Sequence, residues 1–148
     1  MDFTKLKESI IRFEGLELKP YKCPANKLSI GYGRNLEDNG ISINEAIYML
    51  ENDLLNIKLE LEDKLPVFNR LDDIRQNVLL EMAYNMGISK LLNFKKTIQH
   101  LKKFDYVEAS KEMLDSKWHK DFKKYAPNTK EELLRSSILS KIMKEGKY

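Results

Sequence analysis

Between residues 16 and 36 the apolar period changes from helical to strand-like, and this single interruption constrains everything around it. Before it, Phe3, Leu6, Ile10 and Phe13 recur at steps of three and four, which predicts a helix capped by Gly15. Pro20 and Pro24 then forbid a continuing helix, and Pro24-Ala25-Asn26-Lys27 reads as a turn. Leu28, Ile30 and Tyr32 alternate with Ser29, Gly31 and Gly33, the pattern of a strand with one apolar and one nearly bare face. A hairpin over 17–33 follows. Two glycines beside a hydroxyl leave room on the bare face for a ligand to approach the backbone.

The rest of the chain reads as helix. Asn39-Gly40 is a turn, and Ser42-Ile43-Asn44-Glu45 matches the Ser-x-x-Glu box that opens a helix. That helix runs through Ile47, Leu50, Leu54, Leu55 and Leu61 toward Pro66, long enough to join two lobes. Leu71 to Gly87 is apolar nearly all round, which predicts a buried central helix. Further helices are predicted near 94–103, 105–116 and 130–144. The expected fold is α+β and mostly α. A small hairpin lobe (about 14–42) is joined by a helix (about 43–64) to a helical lobe (about 67–148). The N-terminal helix 3–13 is grouped with that lobe, and a ligand cleft is expected between the lobes of one domain, 1–148.

Composition narrows the classes further. With 148 residues, 42% hydrophobic and 33% charged, one compact domain is expected and a disordered chain is excluded. The single cysteine excludes an intrachain disulfide framework and a cysteine-based zinc cluster, and argues for a reducing compartment. The net charge of +3 is uneven: residues 1–66 carry 9 basic and 12 acidic side chains, residues 67–148 carry 17 and 11. The second part is either a solvated basic face or a surface that meets something anionic. Met1 to Glu8 carries charges where a secretory leader needs an apolar run, and no stretch approaches the ~18 apolar residues of a membrane helix. The expectation is a protein made in the cytoplasm.

Three residues carry candidate chemistry. Glu14 extends the apolar stripe of the first helix, four residues after Ile10. Read alone, it is either an ordinary helix-end glutamate or a desolvated carboxyl whose raised pKa suits a general acid. Cys23 is either a small buried hydrophobe or a thiol facing a site. Ser29, on the glycine-lined strand face, is either solvent-facing or able to hold a water. His100 and His119 do not pair at metal-ligand spacing, so neither a metal nor any other cofactor is expected. Gly31-Tyr32-Gly33 lacks the third glycine and following helix of a phosphate loop.

Phe13-Glu14-Gly15 through Lys22-Cys23, followed by Leu28-Ser29-Ile30-Gly31-Tyr32-Gly33, resembles the phage-type lysozymes, the endolysins of glycoside hydrolase family twenty-four. Their signature is a Glu, an Asp or Cys nine residues on, and a hydroxyl six further. The likeness continues in Leu71-Asp72-Asp73-Ile74-Arg75, Tyr84-Asn85-Met86-Gly87, Phe94 and Ser116-Lys117-Trp118. The resemblance implies hydrolysis of the β-1,4 bond between N-acetylmuramic acid and N-acetylglucosamine in peptidoglycan, with inversion at the anomeric carbon. Glu14 would be the general acid, and Cys23 with Ser29 would position or activate water. Substrate contacts by analogy fall on Asn35, Tyr84, Asn85, Thr97 and Glu112. It also implies a monomer that acts on the cell wall after release by a separate holin.

The chain departs from the family pattern at several points. Cys23 stands where Asp is common, Ser29 replaces Thr, and Arg34 replaces His. Thr129 follows Pro127-Asn128 where the family commonly has Arg, leaving Lys130 or Arg135 as substitutes. Three other readings compete. One is a lytic transglycosylase, which needs the acid but no positioned water. Another is a cysteine hydrolase of peptide crosslinks using Cys23 with His100 or His119. The last is a nucleic-acid binder built on Lys117, Lys120, Lys123 and Lys124 with Trp118, Phe122 and Tyr125. No nucleic-acid partner is expected, because Trp118 and Phe122 read better as core.

Overall fold

The computed structural model describes residues 2–148. They form two compact units, one ending at Met49 and the other spanning Leu50–Tyr148. The architecture is α+β and mostly helical, as expected, with one three-stranded antiparallel sheet among the described residues.

The first unit opens with α1 (Phe3–Glu14). Asp2 caps its start by accepting from the Thr4 and Lys5 amides, and Gly15 ends it. The sheet follows: β1 (Glu17–Lys22), β2 (Leu28–Gly31) and β3 (Arg34–Asn35), in that order. The hairpin was legible in the sequence, but the third strand was not. Its two residues are too short to carry a period. The pairing of β1 with β2 is irregular between Glu17 and Tyr21, where Pro20 has no N–H to donate.

One expectation is corrected here. The face carrying Ser29 is not bare and open at that position. Ser29 lies opposite Tyr21 on one side and Asn35 on the other, and only 2% of it is exposed. Its small side chain also folds back onto its own strand, donating to the Lys27 carbonyl at 3.3 Å. Tyr32, expected on the apolar face, lies just past β2 in the turn and is exposed.

The short α2 (Leu36–Asn39) is capped by Asn35, and α3 (Ile43–Lys64) begins with the expected capping box. The Glu45 amide donates to Ser42 Oγ at 3.2 Å, and the Ser42 amide donates to Glu45 Oε2 at 2.7 Å. Arg34 adds a tie from β3 to the same helix start. It donates to the Gly40 carbonyl at 2.9 Å and pairs with Glu45 at 2.6 Å.

The second unit contains the hydrophobic core. Leu61, Phe68, Met82, Leu91, Leu101, Ala109, Met113 and Met143 are wholly buried within it. Each fully buried Leu, Met or Phe contributes roughly 1.5–3 kcal/mol of transfer free energy. Helix α4 (Asp73–Met86) buries Val78, Leu79, Met82 and Ala83. It is one-sided rather than apolar all round, because Asn77, Tyr84 and Asn85 face solvent. Helices α6 (Lys95–Lys102), α7 (Tyr106–Leu114) and α9 (Arg135–Glu145) match the expected segments. Two more, α5 (Ile88–Leu92) and α8 (Lys117–Tyr125), were not anticipated. The first is barely a turn long. The second hides its period under four lysines. No described helix is long and apolar enough to cross a membrane.

Candidate active site

The three candidate residues all belong to the first unit, and local backbone chemistry explains where each stands. Glu14 is the last residue of α1 because Gly15 adopts φ 71°, and its N–H closes on the Ile11 carbonyl. The glutamate is exposed, not desolvated among apolar neighbours as its place on the stripe suggested. What it meets instead is the turn between β2 and β3. A Cβ added at Gly33, itself at φ 76°, would stand 2.7 Å from Glu14 Oε2 and 3.2 Å from its Cδ. The carboxylate therefore rests against a backbone that only glycine leaves free. Within Gly31-Tyr32-Gly33 only Gly33 makes this approach; a Cβ at Gly31 would meet nothing within 4 Å.

Cys23 sits at the start of the β1–β2 turn, half-buried. Its N–H donates to the Lys27 carbonyl at 3.0 Å, and its carbonyl accepts from the Asn26 amide at 2.7 Å. Hydrogen bonding from the Lys27 backbone holds the thiol below its ordinary pKa, against a smaller opposing effect of burial. The Ala25 backbone and the Ser29 hydroxyl act in the same direction as Lys27. Ser29 Oγ also donates to the Lys27 carbonyl at 3.3 Å. Cys23 and Ser29 thus share one small polar cluster around Lys27, six residues apart in sequence and adjacent across the hairpin.

The other candidate contacts are divided between the units. In the first, Asn35 accepts from the Asp38 amide at 3.0 Å and donates to Asp38 Oδ2 at 2.8 Å. In the second, Thr97 (2% exposed) and Glu112 line one cavity of about 620 Å³, with Met86, Phe94 and Trp118 as its apolar wall. Lys96 approaches Glu112 at 3.9 Å. Asn85 stands next to this cavity, accepting from Trp118 Nε1 at 2.8 Å, whereas Tyr84 does not line it. Neither the cavity nor the role of Gly33 was foreseen. The Asn85–Trp118 bond joins residues far apart in sequence, and no local spacing announces it.

Several competing assignments lose their residues to structure. Trp118 packs edge-on against Phe94 and Phe122, so these two aromatics of the basic run serve packing, while Tyr125 is exposed. Lys123 pairs with Glu131, and Lys120 with Asp115. His119 is buried, with Nδ1 bonded to Ser136 Oγ at 2.8 Å and Nε2 to Glu131 Oε1 at 3.2 Å. His100 faces Asp105 at 3.8 Å. Arg135 donates to Glu81 at 2.8 Å and is committed there. Among the described residues no three His, Cys, Asp or Glu side chains gather as a metal site.

A profile of the family described as "Phage lysozyme" matches residues 11–133. "Probable T4-type lysozyme 2" of Dictyostelium discoideum is 28% identical over 146 aligned residues, covering 78% of this chain and 85% of its own length. An "Endolysin" of Acyrthosiphon pisum secondary endosymbiont phage 1 is 29% identical over 114 residues, covering 75% of each chain.

Proposed function

The chain belongs to the phage lysozyme family, and on that premise we propose that it is an endolysin that hydrolyses the β-1,4 bond between N-acetylmuramic acid and N-acetylglucosamine in peptidoglycan. The supporting observation is the seat of Glu14 on the Gly33 backbone, in the turn that follows the strand carrying Ser29, with Cys23 in the turn before it. Glu14, protonated, gives its proton to the glycosidic oxygen as the C1–O bond breaks. A water held near Cys23 and Ser29 attacks the anomeric carbon from the opposite face. Its proton passes to the thiolate, and its oxygen becomes the new hydroxyl at C1. The reaction inverts the centre, which requires room for water between acid and base. The hydrogen bonds that hold the thiol below its ordinary pKa favour the thiolate, the form able to accept a proton.

Substrate contacts are assigned to Asn35 in the first unit and to Tyr84, Asn85, Thr97 and Glu112 in the second. Their shared cavity supports Thr97 and Glu112 above the others. The chain acts as a monomer on the wall, and access to it depends on a separate holin. The test is clearance of a suspension of purified peptidoglycan by wild type and by Glu14→Gln, each with its circular dichroism recorded. Loss of clearance with an unchanged spectrum is expected. Clearance at the wild-type rate by the folded variant overturns the assignment.

A further inference from the structure

The backbone that seats Glu14 lies in a turn that its own strand holds weakly. β3 contributes two ladder pairs, Ser29 with Asn35 and Ile30 with Arg34. Between Ile30 and Arg34 the chain passes through Gly31 and Gly33, both at positive φ, so the turn carries two residues of the least restrained type. A misplacement of about 1 Å at a reacting group can cost about 10²-fold in rate. A glycine turn beneath an acid therefore needs restraint from outside its short ladder.

Arg34, the residue after Gly33, supplies that restraint. Its Nε donates to the Gly40 carbonyl at 2.9 Å and its Nη1 to Glu45 Oε1 at 2.6 Å. Gly40 is where α2 ends, and Glu45 stands in the first turn of α3. Glu45 is itself held, because its Oε2 accepts from the Ser42 amide at 2.7 Å. That amide chiefly keeps the Glu45 carboxyl below the usual carboxylate range, and the Arg34 charge adds to it. An exposed ion pair on its own contributes little. Here one planar guanidinium spans a carbonyl and a carboxylate on two different elements, which fixes a direction as well as a distance. Neither bond goes to Glu14, so any effect of Arg34 on the acid passes through the Gly33 backbone.

We propose that Arg34 is a positioning residue for the hydrolysis, pinning the Gly33 turn and through it the Glu14 carboxyl. The proposal rests on the reading of Glu14 as the general acid. Charge alone does not perform this role: lysine keeps the charge, but its single ammonium cannot hold both partners in one rigid plane. Because Glu14 acts as the glycosidic bond breaks, a misplaced carboxyl lowers kcat and leaves KM nearly unchanged.

The test is the rate of release of reducing ends from solubilised peptidoglycan over a range of substrate concentrations, with the folded fraction of each protein fixed by circular dichroism. Arg34→Met is expected to lower kcat at least about tenfold with KM within about twofold of wild type. Glu45→Gln, which keeps an acceptor for the capping box but removes the ion pair, should lower kcat several-fold, and Arg34→Lys should restore it only in part. Ser42→Ala loses the capping hydroxyl but keeps the amide bond to Glu45, so it should be less stable with kcat unchanged. A wild-type kcat in folded Arg34→Met, or a loss confined to KM, overturns the proposal. So does full activity in Arg34→Lys, or a loss of kcat in Ser42→Ala equal to that in Arg34→Met. Should Arg34→Met not fold, a wild-type kcat in Glu45→Gln overturns it. Wild-type kcat in Glu14→Gln, measured alongside, overturns instead the reading of Glu14 on which it rests.

Discussion

The two units are stabilised differently. Leu50–Tyr148 buries a continuous set of leucines, methionines and a phenylalanine, and its helices are fixed by what they cover. Among the described residues up to Met49, the only buried one is Ser29. There the chain is fixed by caps, by ion pairs such as Lys27–Asp38, by a central strand bonded on both edges, and by glycines at positive φ. A packed core loses stability with each apolar group removed and excludes unpaired charge. A scaffold of hydrogen bonds can hold an exposed carboxylate and a half-buried thiol, with a buried hydroxyl beside the thiol.

Breaking one residue in each unit should separate activity from stability most widely. Glu14→Gln is expected to lower wall clearance by about 10²–10⁴-fold and leave the melting temperature nearly unchanged. Phe68→Ala, at a wholly buried position, should remove about 3–5 kcal/mol of stability by urea denaturation. Phe13→Ala, at an 81% exposed position, should remove less than about 0.5 kcal/mol. Comparable losses at Phe13 and Phe68 would erase the contrast.

The glycine platform sharpens it. Gly33→Ala puts a methyl 2.7 Å from Glu14 Oε2 and forces alanine into a left-handed conformation that costs about 1–2 kcal/mol. Clearance should fall by more than about tenfold while the far-ultraviolet spectrum persists. Wild-type kinetics in this variant would show that the contact does not position the acid.

A smaller effect concerns pH. The Cys23 thiol is held low chiefly by the Lys27 backbone, so iodoacetamide should modify it with a midpoint below that of a free cysteine. Ser29→Ala should move the midpoint upward, because the Ser29 hydroxyl contributes in the same direction. The linked stability is present above the unfolded thiol's pKa of about 8.5 and is lost as pH falls through the folded value. An unshifted or raised midpoint would contradict this. Ser42→Ala removes half of the box that opens α3 and should cost about 1 kcal/mol by chemical denaturation.

How much of this was legible beforehand follows the same division. The helix ends with explicit chemical signals were readable: Gly15 closing α1 and Ser42-Glu45 opening α3. The neighbourhood of Cys23 and Ser29 was readable too, because a single local turn joins them. The burial of Ser29 was not, since it depends on a two-residue third strand without a period of its own. Helix α8 was masked because its apolar face, Trp118 and Phe122, is outnumbered by lysines. The cavity holding Thr97 and Glu112 is assembled from separate helices, and no window of sequence contains it.

The central claim is that Glu14 delivers a proton while water held by Cys23 and Ser29 attacks the opposite face. Proton magnetic resonance of the sugar ends released in the first turnovers from purified peptidoglycan tests it most directly. The account predicts reducing muramic acid ends appearing first as the α anomer, and none from Glu14→Gln. Ends appearing first as the β anomer, or as 1,6-anhydro sugars, would contradict it.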